Sequence, residues 1–215
     1  MLFFWLAAIG WGYINHADSD EKPTKELTTL PLLWFDRQVL RRFGAFLPFL
    51  VLLYRWWINL PACSIHGRPI KLLKLAKLYG YISLTRSLVY QVHSRGVLNW
   101  VNRVFPAELA AADHMMSDHI FLTASVAAIL LCEGVFLLHH VSLVKHWRIV
   151  PKSMRSQRNH AYLAAGLCGL LYLLTVGDTY YSARYFHWRV HNNSAAVLGF
   201  IAFQLPALAL LAGGW

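Results

Sequence analysis

Two short stretches bring together residues able to carry out group-transfer chemistry. In ADHMMSDHIFL, the pairs Asp113-His114 and Asp118-His119 flank Ser117 and stand directly before a long apolar run. In TYYSARYFHWRVH, Tyr180, Arg184, His187 and His191 follow at intervals of four, three and four. On a continuous helix that spacing puts all four on one face. A guanidinium one turn from an imidazole suits a phosphate group. Arginine grips two phosphate oxygens at once, and an imidazole attacks phosphorus or passes a proton. With His119 and His187 in one cleft, one imidazole is the nucleophile and the other protonates the leaving group, while Asp113 orients an imidazole as a carboxylate does in a triad. Arg184 and Ser117 then contact the substrate.

For these two stretches to meet, the elements carrying them must end at one level. The 215-residue chain is 57% hydrophobic and only 14% charged, with a mean hydropathy of +0.42. That balance excludes an ordinary soluble domain and predicts an all-α, polytopic membrane protein, one domain over residues 1–215. Six spans are expected, at about 2–15, 43–63, 78–101, 119–144, 161–186 and 194–214. Cys63, Cys132 and Cys168 lie in or beside apolar stretches without paired spacing, so neither a disulfide framework nor a zinc knuckle is expected.

The net charge of +10 is explained by the membrane rather than by nucleic acid. Segment 66–77 carries four Lys/Arg and no acid, and segment 145–160 carries five and no acid. Six spans put both on one side, which the positive-inside rule makes cytosolic, together with both termini. Eight of the ten acids fall in 16–42, 102–118 and 187–193, which then face the lumen or exterior. Arg37, Arg41 and Arg42 run against this trend. His119 starts the fourth span and His187 ends the fifth, so both reach the lumenal face. The remaining acids, Glu133 and Asp178, lie within spans, where ionisable groups mark functional sites by default. Glu133 is about 21 Å down a helix from His119, at about 1.5 Å per residue, and is expected to pair with Arg55 or Arg86. Asp178 is expected to partner a span arginine, with a catalytic role as the lesser alternative.

Arginine, histidine and aromatic residues also anchor span ends without further function, a description that fits His139, His140 and His146. Two other functional readings stay open. His187 and His191 have the i, i+4 spacing that presents two imidazoles to one ion, which with His119 or His114 and an aspartate predicts a zinc-dependent membrane hydrolase of ceramidase type. A non-catalytic lipid-binding membrane protein is the third.

ADHMMSDHIFL resembles the sphingomyelin synthase signature, in which Gly-Asp precedes Ser-Gly-His-Thr at the start of a span. Asp113, Ser117 and His119 match its Asp, Ser and His in register, whereas Asp118 replaces the Gly and Ile120 the Thr. SARYFHWRV followed by VLGF resembles the second signature of the type 2 phosphatidic acid phosphatase superfamily, to which the synthases and, more distantly, the fat-storage-inducing transmembrane proteins belong. The resemblance covers roughly 78–200. It implies a lumenal site with His119 as acid and His187 as nucleophile, no cofactor and no metal, and a phospholipid, sphingolipid or acyl-CoA as substrate. It also implies a multi-pass protein of the endoplasmic reticulum or another endomembrane. YGYISLTRSLVY is similar to the arginine-bearing third span of the synthases and adds Arg86 to the substrate-binding set. Three features depart from the pattern: His191 stands where an Asp is usual, Ser182 and Arg184 are separated by Ala183, and no Lys-x6-Arg-Pro motif is present.

Overall fold

The computed structural model describes residues 2–16, 31–66, 68–94, 117–145, 152–186 and 189–213. Among them the chain is helical with no strand, and one isolated bridge joins Cys63 to Pro69. Helix α1 spans Leu2–Ile14 and α2 Pro31–Phe35; a π-helical turn, Asp36–Leu40, leads into the single turn α3, Arg41–Phe43. Helices α4 (Leu47–Trp57), α5 (Leu72–Ser94) and α6 (Asp118–Lys145) follow. Helix α7 (Lys152–Tyr181) ends in a second π-helical turn, Ser182–Phe186. Helix α8 (Arg189–Gly199) passes through a third, Phe200–Gln204, into α9 (Leu205–Leu211).

Among the described residues, three segments are long and apolar enough to cross a membrane: Asp118–His140, Asn159–Tyr185 and Asn192–Leu211. Of the other expected spans, α1 and α4 fall short of the roughly 20 residues a hydrocarbon core requires, with 13 and 11 residues. Helix α5 has 23 residues but carries Lys74, Lys77 and Arg86.

Helix α6 is the centre of the bundle. Its apolar window is 94% buried, against 22% for that of α7 and 39% for that of α8–α9. A helix apolar on every face has no side to offer water, and neighbours cover it all round. The peripheral helices instead face outward with apolar side chains. On α7, Leu163, Leu167, Leu170 and Leu173 form an exposed stripe at helical spacing, and Leu50, Leu53, Trp56 and Trp57 do the same on α4. So large an exposed apolar surface marks an environment of lipid rather than water.

Small residues set the helix separations, as expected where lipid removes the hydrophobic drive for association. A Cβ on Gly199 would meet the Ala124 methyl of α6 at 2.6 Å, and one on Gly12 would meet the Tyr180 carbonyl at 2.9 Å. Phe121 and Phe203 pack beside the first of these contacts, with ring centroids 4.8 Å apart. Gln204 donates to the Ala124 carbonyl at 2.9 Å.

Candidate functional site

Ser117 directly precedes α6 and acts as its N-cap. Its Oγ accepts from the Ile120 amide at 3.4 Å, and its carbonyl accepts from Phe121 at 3.1 Å. The hydroxyl, fully buried, thus satisfies one of the amides a helix start leaves open. Asp118 accepts from the His119 amide at 2.8 Å, a favourable position for a carboxylate at the positive end of a helix. His119 follows on the first turn of α6.

There His119 meets two carboxylates. Its Nδ1 is 3.1 Å from Oδ2 of Asp36, on the π-helical turn after α2. Asp178, on α7, completes the group: one ligand atom from each of Asp36, His119 and Asp178 falls within 4.8 Å of the other two. Asp36 and Asp178 are each only 1% exposed, whereas the His119 side chain retains 13%. On its Nε2 side the imidazole has Asp118, 3.7 Å away. Two carboxylates and an imidazole at the start of a central apolar helix can transfer a proton or hold a cation.

The turn that carries Asp36 is fastened by Arg86. This side chain of α5 donates to the Leu122 carbonyl at 3.1 Å and to Ser125 Oγ at 2.8 Å, both on α6, and also to the Leu40 carbonyl at the end of the turn. Arg86 is 2% exposed. Expected in the substrate-binding set, it braces α5, α6 and the π-helical turn beside the Asp36–His119 contact.

Arg184 lies on the π-helical turn that ends α7. It donates to the Tyr180 hydroxyl at 2.9 Å and stacks over Tyr185, with 4.8 Å from guanidinium carbon to ring centroid. The widened turn re-directs the Ala183 carbonyl, which accepts from Asn192 Nδ2 at 3.0 Å and lies 3.2 Å from His16 Nδ1. Those contacts fix the corner between α7 and α8 beside α1. Asp113 and His187 lie outside the described residues, as does the side chain of His191.

The sequence reading did not find Asp36 and gave Asp178 another role. Asp178 was expected beside a span arginine and lies in the His119 cluster. Asp36 was counted among the acids of a loop. A usable signal was its place directly after the apolar run LPLLWF, where an acid needs a partner in the core.

Glu133 lies deep, as expected, and its partner is Arg55, in a buried ion pair. Tyr79 also donates to Glu133, and Arg55 donates to the Leu60 and Pro61 carbonyls, at 3.3 Å each. The pair borders a cavity of about 300 Å³ lined mainly by apolar side chains, among them Leu50 of α4, Leu130 and Leu137 of α6 and Leu163 and Leu167 of α7. The three cysteines are free. No protein-family model matches the chain, and neither a curated protein nor a solved structure matches it.

Proposed function

We propose that the chain is an integral membrane hydrolase or phosphotransferase acting on a phosphate- or diphosphate-bearing lipid, with its chemistry centred on His119. The observation that carries this reading is the convergence of His119, Asp36 and Asp178 at the first turn of the central helix. Three titratable side chains are expensive to gather at the edge of hydrocarbon, and such groups are retained for chemistry. The outward-facing leucine stripes support a lipid substrate drawn from a bilayer around the bundle. Six spans with the His119 end in the lumen of an endomembrane, and the basic segments 66–77 and 145–160 in the cytosol, complete the proposal.

The roles follow from chemical type. Arg184 grips the phosphate through its planar fork. His187, or a water in its place, attacks phosphorus, and the bond from phosphorus to the lipid oxygen breaks. The His119 cluster stabilises that departing oxygen and supplies its proton, which the hydroxyl that later opens the phosphohistidine returns, with Asp36 holding the imidazole in one orientation through Nδ1. A phosphohistidine formed on His187 is then opened by water or by a second lipid hydroxyl. The resemblance of ADHMMSDHIFL and SARYFHWRV to the phosphatase superfamily supports the same assignment.

Purified protein in mixed micelles, incubated with lipid phosphates, phosphocholine lipids and acyl-CoA, tests the reading. Release of phosphate, phosphocholine or a phosphoadenosine fragment supports it. No product from any of the three classes removes it.

A further inference from the structure

Resting on the proposed role of the His119 cluster, we infer that Asp36, His119 and Asp178 bind a divalent cation of the zinc or manganese type, and that this cation is the group that receives the departing oxygen. Their ligand atoms lie within 4.8 Å of one another. A tetrahedral ion with bonds of about 2.0–2.2 Å separates its ligand atoms by about 3.4 Å, and the His119–Asp36 pair already stands at 3.1 Å. Small side-chain rotations bring the third ligand in.

Charge gives an independent reason. Asp36 and Asp178 are each 1% exposed, and buried carboxylates are paired with positive charge or coordinate a metal. Arg86 adds positive charge from below, but its described hydrogen bonds are committed to Leu40, Leu122 and Ser125. Two hard carboxylates with one borderline imidazole suit zinc or manganese and disfavour soft ions. Three protein ligands leave at least one position open, toward the partly exposed His119 side, for a phosphate oxygen.

Metal-stripped wild-type protein in detergent, titrated with Zn²⁺ and separately with Co²⁺, tests the inference without reference to turnover. One equivalent of Zn²⁺ per chain should survive gel filtration, and Co²⁺ should give the visible absorption of a low-symmetry site. Asp178→Asn keeps the carboxylate's shape and should weaken Zn²⁺ binding at least about tenfold. Circular dichroism checks its fold, and His119→Gln replaces it if that check fails. Absence of stoichiometric binding to wild-type protein, or unchanged affinity in a folded variant, overturns the inference. Lipid turnover that persists after chelation overturns the metal but keeps the proposed activity. Zn²⁺ binding that Asp178→Asn weakens, in a protein inert toward all three lipid classes, keeps the site and removes the activity.

Discussion

Nδ1 of His119 and Oδ2 of Asp36 lie 3.1 Å apart, although one begins the central helix and the other sits on a π-helical turn. The contact fixes the imidazole's orientation. Whatever His119 does toward a substrate, it does in an orientation set by Asp36. Asp36→Asn keeps the shape and removes the charge. Turnover of the phosphate-bearing lipid should fall about 10²–10⁴-fold, the range in which positioned acid–base groups act. KM should move little, because Asp36 is buried behind the imidazole. Steady-state kinetics on wild type and variant read both numbers, and unchanged kcat removes Asp36 from the mechanism.

Arg184 is held by Tyr180 and Tyr185, so its fork is pre-set for a planar pair of oxygens. Lysine retains the charge and loses that fork. Arg184→Lys should lower kcat/KM for a phosphate-bearing lipid by about tenfold or more, the equivalent of about 1.4 kcal/mol, without lowering the unfolding temperature. A variant with wild-type kcat/KM leaves Arg184 as an interfacial anchor only.

The Arg55–Glu133 pair is a matter of stability. Removing one partner strands a buried charge, so Arg55→Met or Glu133→Leu alone should cost about 3–5 kcal/mol. The double variant Arg55→Met/Glu133→Leu should recover most of the loss. Unfolding in detergent of the four proteins gives the coupling, and additive losses contradict a direct pair.

Close approach at Gly199 predicts a further defect. A leucine there has no space against Ala124 and must push α8 away from α6. Gly199→Leu should destabilise the bundle by about 1–3 kcal/mol, the usual cost of overpacking. A shift in unfolding midpoint below a few tenths of a kcal/mol shows that the two helices are not in contact there.

Sidedness is tested by glycosylation acceptors with long spacers, one placed in 187–193 and one in 145–160. The first should be modified and the second not. The reverse pattern puts the His119 end in the cytosol.

The helices carrying His119 and Arg184 were legible in the sequence because long apolar runs mark them directly. The deep pairing of Glu133 was legible too, since a buried acid demands a cation and few were at hand. Arg86 marks the limit of assignment by residue type: a span arginine reads equally as a phosphate ligand or as a brace for carbonyls, and sequence does not show its acceptors on Leu40, Leu122 and Ser125. Asp36 was hidden for a different reason. Its π-helical turn is five residues long, too short for any periodicity, and its partner His119 is distant in sequence. Long-range pairings between a short turn and a helix start leave no local pattern. Asp178 was visible as an ionisable residue in a span, but its partners depend on how α7 lies against α6, which hydropathy does not encode.

The most direct measurement is turnover by His119→Gln, reconstituted in vesicles beside wild type, on whichever lipid class the wild-type protein converts. Glutamine approximates the reach of the imidazole but neither transfers a proton nor supplies a ligand nitrogen. Product release should fall at least about 10²-fold, with circular dichroism and unfolding temperature unchanged. A folded His119→Gln that releases product at the wild-type rate contradicts a centre built on His119.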